Sequence, residues 1–314
     1  MSRNAQAGGS AKDFTMFNAL TIDVEDYYMV SGFANEVKFE DWNRYESRVE
    51  KNTVQLLELL NEYGLKATFF ILGWVAERHP GLVRRIASAG HEIASHGYNH
   101  RLIYNLTKDE FREDVRMAKQ ALEDITGKPV IGYRATSYSI VKKTLWALDI
   151  LIEMGFLYDS SIFPIHHDRY GFPEADRFPY TIKRSAGEIV EFPPSTYSLL
   201  GMNIPVAGGG YFRLFPLLLT KAAIRRINQK EKKAVLIYLH PWEIDVDQPR
   251  LHGSRLSEFR HYINLRTTLP KLRACVKEFK FKMLSEFYGS VKEDGPFRSF
   301  STDADAESLS SAVR

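Results

Sequence analysis

The sequence predicts an α/β fold built on a largely parallel sheet. Short apolar or β-branched runs alternate with segments of helical periodicity along most of the chain. About seven such strand–helix units can be counted, which favours a closed barrel, with an open doubly wound sheet as the alternative. No fixed-period repeat and no linker rich in Pro, Gly or Ser divides the series.

The elements follow in order. The first strand is Phe17 to Ile22, and Val54, Leu57 and Leu60, with Leu56 and Tyr63, mark the helix after it. "KATFFIL" is a strand, Pro80 opens a helix at a first-turn position, and "HEIAS" is the next strand. Thr107 with Glu110 three residues on has capping-box spacing and starts a further helix. Then come strand "VIGYRA", helix 142–154, strand "FLYDS", the extended "EIVEFP", helix 214–229 and strand "AVLIYLH". A helix near 268–279 and a strand near "FKML" close the series. Residues 1–13 are small and polar and are expected to be disordered; residues 14–289 form one domain; residues 290–314 read as a flexible tail.

Composition narrows the function. The 314 residues, 44% hydrophobic and 26% charged, describe a folded globular protein of one large or two ordinary domains. The net charge of +3 is dispersed, and pairs such as Arg84-Arg85 and Lys232-Lys233 read as solvated helix faces, which argues against nucleic-acid binding. The lone Cys275 excludes a disulfide framework and a Cys-based zinc cluster, so any metal site uses His and carboxylate. No apolar run has the length of a signal peptide core or a membrane span. The expected protein is therefore not an integral membrane protein, its expected location is the cytoplasm, and homo-oligomerisation is left open.

Asp23, His96, Arg134, Asp159 and His240 each close an apolar or β-branched run, in "LTIDVED", "HEIASHGYNH", "IGYRATSYS", "FLYDSS" and "VLIYLHPWEID". In a parallel barrel the C-terminal rim is where catalytic groups gather; the competing reading makes all five structural caps. His96 and His100 are four apart, a spacing that on a helical turn puts two imidazoles on one side, as when two His hold one metal ion. Such a pair usually takes a carboxylate as third protein ligand, and the acids after the first strand can supply it.

In this order, "TIDVED", "SHGYNH", "GYRA", "YDSS" and "YLH" resemble the five motifs of the polysaccharide deacetylases, the NodB-like enzymes of carbohydrate esterase family 4, over roughly residues 17–283. "EFPPSTYSLLGMNIPVAGGGYFRLFP" resembles a segment of a subgroup from bacterial exopolysaccharide loci, related to the allantoinase-like deacetylases. The resemblance implies a distorted (β/α) barrel with fewer than eight regular strands. It also implies a hydrolase that removes N-acetyl groups from N-acetylated sugars of an exopolysaccharide or its precursor, in association with envelope polysaccharide synthesis. On this resemblance Asp23 is the general base, Arg134 orients it and keeps it ionised, His240 is the general acid, and Asp159 holds that His in the right tautomer. His96 and His100 bind one divalent metal with Asp26, or with Glu25 if the two-residue spacing of the allantoinase-like branch applies. Zinc is the expected metal, with cobalt, nickel or manganese as alternatives.

Three departures stand out. Asp23 is followed by Val24, Glu25 and Asp26 rather than by a second Asp; Thr136 replaces a usual Pro; and "DSSIFP" lacks the Trp that lines the acetyl pocket, leaving Phe163, Trp242 or Tyr138 to stand in. Two rival functions remain: hydrolysis of a small non-sugar amide or ureide, and glycan binding by a pseudoenzyme that no longer holds metal. "GGGYF" at 208–212 lacks the Lys-Ser/Thr ending of a phosphate loop and reads as a turn beside the site. The remaining His, together with Trp42, Trp74 and Trp146, read as surface or packing residues, and 163–188 reads as a long loop near the substrate.

Overall fold

The computed structural model describes residues 16–167, 170–206 and 208–299. Seven parallel strands form its centre: β1 (Phe17–Val24), β2 (Thr68–Ile71), β3 (Glu92–Ser95), β4 (Gly132–Tyr133), β5 (Tyr158–Asp159), β6 (Gly187–Glu191) and β7 (Leu236–Leu239). They lie in the order β7-β1-β2-β3-β4-β5-β6, so chain order and spatial order agree except that the last strand returns beside the first. Among the described residues no ladder joins β6 to β7, so the barrel is distorted, with a seam there. Between β6 and β7 the wall is irregular: Leu236 N donates to Ser195 Oγ at 2.8 Å, and Gly208 bridges Tyr238. A Cβ on Gly208 would stand 2.1 Å from the Tyr238 ring, so this approach requires glycine. β1 is buried from Asn18 to Val24, as expected of a central parallel strand covered on both faces.

Helices pack outside this sheet. Val49–Glu62 follows β1, Pro80–Ser88 precedes β3, Lys108–Thr126 follows β3, and Leu265–Glu278 follows β7. The Thr107–Glu110 capping box forms as its spacing predicts, and Gly127 ends that helix at φ 64°. No helix among the described residues is long and apolar enough to cross a membrane.

Several boundaries differ from expectation. The helix expected over 142–154 is a turn at Lys142–Thr144 followed by Trp146–Glu153. The one over 214–229 divides at Pro216, with Gly209–Leu214 before it and Leu217–Arg226 after it, because proline cannot donate into a continuous helix. "GGGYF" is thus largely the start of a short helix. Part of the 163–188 stretch is a strand, Tyr180–Arg184, antiparallel to β6. The domain also runs past 289: Ser285–Asp294 is a helix, and Phe297–Ser299 pairs with Tyr180–Arg184. An unpaired sheet edge explains why ten further residues are drawn in. The expected disorder of 1–13 and the end of the tail lie outside the described residues.

Candidate metal centre and acid–base site

β1 delivers two acids to the rim. Asp23 lies within β1, and Glu25 follows its last residue, where the chain turns and Glu25 N donates to Asp23 O at 3.0 Å. Asp26 turns away from the histidines: its Oδ2 accepts hydrogen bonds from Arg48 N (2.7 Å), Val49 N (3.1 Å) and Ser47 Oγ (2.9 Å) at the start of helix Val49–Glu62. The preferred carboxylate Asp26 is therefore replaced in the cluster by Glu25. Glu25, His96 and His100 each offer a ligand atom, all within 4.8 Å of one another.

The two His do not sit on a helix. His96 follows β3, Gly97 takes φ 75° and His100 φ 57°, so a tight turn rather than helical spacing brings their rings to 5.6 Å. The turn is fixed by Asp114, whose carboxylate accepts from Tyr98 N at 2.8 Å where a Cβ on Gly97 would collide with it. His96 Nδ1 donates to the Arg134 carbonyl at 2.8 Å, which leaves Nε2 as a lone pair. Burial holds the His96 imidazole neutral down to about pH 4, the form a metal requires. Glu25 Oε1 accepts from Trp242 Nε1 at 3.0 Å, whereas Oε2 lies 2.7 Å from His100 Nε2 yet makes no hydrogen bond among the described residues. Burial opposes charge on Glu25, but His100 and His240 outweigh it and hold the carboxyl below its usual range. Two imidazoles and one buried carboxylate oxygen left without a hydrogen bond fit a divalent cation.

Arg134, wholly buried, fixes the neighbouring Asp23. Its Nη1 donates to Asp23 Oδ1 (2.6 Å) and Thr21 Oγ1 (2.8 Å), its Nη2 to Ser160 Oγ (2.8 Å) and its Nε to Ser160 O (3.2 Å), while Phe70 lies against the guanidinium at 4.1 Å. Asp23 is thereby held with Oδ2 turned toward His240 Nε2, 3.8 Å away.

His240 is oriented by a different carboxylate from the one expected. Its Nδ1 meets Glu243 Oε1 at 2.7 Å, and Glu243 Oε2 meets Arg213 Nε at 2.7 Å. Arg213 is itself fixed by the carbonyls of Arg260, His261 and Ile263. Burial disfavours charge on His240, but the Glu25, Glu243 and Asp23 carboxylates raise it to about 9. Asp159 instead lies opposite Glu191 in the β5–β6 register, hydrogen-bonded to Ser161 Oγ at 2.5 Å. Burial raises both Asp159 and Glu191, and for Glu191 the Asp159 charge adds to it. Sequence reading missed Glu243 and Arg213; the signal was "HPWE", with Pro at the first position of a turn and Glu three residues after the His.

These groups line a cleft of about 330 Å³ whose walls include Tyr104, Tyr138, Tyr170, Tyr211 and Trp242. Of the three aromatic candidates for the acetyl pocket, Tyr138 and Trp242 face the cleft, and Phe163 packs behind Tyr138 with ring centroids 5.1 Å apart. Thr136 Oγ1 donates to Arg101 O at 2.7 Å, and Ser137 and Tyr138 follow with φ of 49° and 53°. Consecutive left-handed residues without glycine are strained, and here they place Tyr138 on the wall. His261, read as a bystander, lines the cleft and stacks on Trp242 at 4.2 Å.

Residues 37–156 match the family described as polysaccharide deacetylase, and residues 160–289 match a domain of unknown function, DUF3473. A peptidoglycan deacetylase of Helicobacter pylori is 28% identical over 158 residues, 50% of this chain and 52% of that protein. A peptidoglycan-N-acetylglucosamine deacetylase of Bacillus cereus is 37% identical over 75 residues, 24% of this chain and 27% of that protein. The chain thus spans about half or less of these relatives' lengths. A solved structure from Mycobacterium smegmatis assigned to the polysaccharide deacetylases superposes with a TM-score of 0.58 at 23% identity, covering 93% of this chain and 96% of that one. An allantoinase superposes with a TM-score of 0.56 at 18% identity, covering 89% and 91%.

Proposed function

Because the chain belongs to the polysaccharide deacetylases, the NodB-type carbohydrate esterases of family 4, we propose that it is a metal-dependent hydrolase. Its proposed substrates are N-acetylated sugars of a bacterial exopolysaccharide or its precursor, from which it removes acetyl groups. One observation carries the reading: Glu25, His96 and His100 converge on a point flanked by Asp23 and His240 at the rim of one cleft.

Glu25 Oε2, His96 and His100 would hold the ion, and their donor set favours zinc. A divalent cation bound there supplies a Lewis acid for the amide carbonyl and lowers the pKa of a coordinated water. Asp23, held in place by Arg134, accepts a proton from the attacking water. His240, protonated at neutral pH, delivers a proton to the nitrogen as the C–N bond breaks, and Glu243 stabilises the charged ring from Nδ1. The aromatic wall suits the apolar face of a sugar ring.

The test is acetate release from N-acetylglucosamine oligomers by protein reconstituted with zinc, cobalt, nickel or manganese, beside an Asp23→Asn control. Release is expected to need both the metal and Asp23; metal-independent release refutes the reading. A second reading, hydrolysis of a small amide or ureide, is favoured by Glu25 standing two residues after Asp23, the spacing of the allantoinase-like branch. Turnover of allantoin-like ureides with none of the oligomers would select it.

A further inference from the structure

Glu25 has two carboxylate oxygens with different surroundings, and the difference is made by one side chain. Oε1 accepts the indole N–H of Trp242 at 3.0 Å; Oε2 faces His100 and has no hydrogen bond among the described residues. The indole is held in place from several directions. Its ring stacks on His261 at 4.2 Å and 13°, stacks on His240 at 5.3 Å and 18°, and lies 5.2 Å from the Arg213 guanidinium. Gln248 Nε2 donates to the Trp242 carbonyl (2.9 Å) and to Asp245 O (2.8 Å), so Gln248 Oε1 is the acceptor for His261 Nε2 at 2.7 Å. A fixed amide thus fixes an imidazole, the imidazole fixes the indole, and the indole fixes the carboxylate.

We propose that Trp242 is the positioning residue of the metal centre: its N–H engages Glu25 Oε1 and presents Oε2 alone to the cation as a one-oxygen ligand. Groups that hydrogen-bond metal ligands set ligand orientation, and losing one typically lowers affinity by about 10–100-fold. Without the N–H, Oε1 is free to swing to the ion, which changes the coordination number as well as the affinity. Trp242 also lies against His240, so the same ring aligns the metal carboxylate and the acid. This inference rests on the metal reading above.

The experiment compares the full-length wild-type chain with Trp242→Phe, a substitution that keeps an aromatic ring and removes the donor. Both proteins are stripped and titrated with zinc against a competing chelator, then loaded with cobalt for visible spectroscopy. The expected result is affinity weakened by about 10–100-fold, with a fainter cobalt band as a bidentate carboxylate raises the coordination number. Equal affinity and an unchanged band overturn the inference while leaving the metal reading intact; no metal on the wild type overturns both. A second measurement needs no variant. In metal-loaded wild-type protein the Trp242 indole proton should resist exchange with deuterated solvent, and exchange at the rate of an exposed indole overturns the proposal.

Discussion

Glu243→Gln is the sharpest probe of His240 as the proposed acid. The side chain keeps its shape and an oxygen for His240 Nδ1–H but loses its charge, so a charge-assisted hydrogen bond at 2.7 Å becomes a neutral one. Charged hydrogen bonds contribute about 1.5–3 kcal/mol and neutral ones about 1, and roughly 1.4 kcal/mol corresponds to one pKa unit. The loss should lower His240 by about 1 unit from its raised value, and the Arg213 charge, no longer offset by Glu243, acts in the same direction. His240 must be protonated to act as acid, so activity is present below its pKa and lost above it. Lowering that pKa moves the alkaline limb of kcat/KM for acetate release downward by about 1 unit. Arg213 keeps its three carbonyl acceptors, which should preserve the fold. The control is Asp159→Asn, which lies against Glu191 rather than against His240 and is not expected to move that limb. An alkaline limb unmoved by Glu243→Gln but shifted by Asp159→Asn would refute the assignment and return the role to Asp159.

Other expectations follow from the same geometry. His96→Ala and His100→Ala should abolish stoichiometric metal, while His240→Ala should keep metal and slow turnover; elemental analysis beside activity separates them, and equal metal loss in all three contradicts the division of roles. Glu25→Gln should weaken zinc binding, whereas Asp26→Asn should leave it near wild type and instead lower stability by about 0.5–2 kcal/mol, the value of a helix cap, measured by denaturant titration. Burial lowers His91 and His96 to about 4 and His261 to about 3, so each contributes stability that is fully present above pH 6.5 and lost as pH falls through the folded value. For His96 the shift corresponds to roughly 3 kcal/mol, and thermal midpoints should fall steeply between pH 6 and 4.

The strand ends of the sequence carry much of the site because a parallel barrel gathers them at one rim. Asp23, Arg134, His96, His100 and His240 come together for that reason. The carboxylate stayed ambiguous because both acids follow the end of β1, where the chain turns and no strand period assigns their sides; the hydrogen bonds of Asp26 at the start of helix Val49–Glu62 settle its direction only in the folded chain. Asp159 misleads for the opposite reason. It ends a strand, but its register sets it against Glu191 rather than against the cleft. Arg213 was out of reach, since its helix meets the 240–243 turn only through the folded chain, and a sequence shows no partner thirty residues away.

Charge balance bears on why a cation fits beside Glu25, the proposed metal ligand. Three buried carboxylates, Asp23, Glu25 and Glu243, crowd the base of the cleft, each 2% exposed or less. Isolated ionised carboxyls cannot be buried without a counter-charge. Arg134 serves Asp23 at 2.6 Å and Arg213 serves Glu243 at 2.7 Å, both arginines being buried themselves. Among the described residues Glu25 pairs with no arginine or lysine; it faces His96, His100, His240 and the Trp242 N–H. Of the three, its charge is therefore the one left for a cation to neutralise, and otherwise His100 and His240 are what offset it. Replacing Glu25 by Gln should lower His240, remove most of the metal affinity and leave Asp23–Arg134 untouched. Retained zinc affinity in that variant would show that the charge on Glu25 serves only to hold the His240 proton.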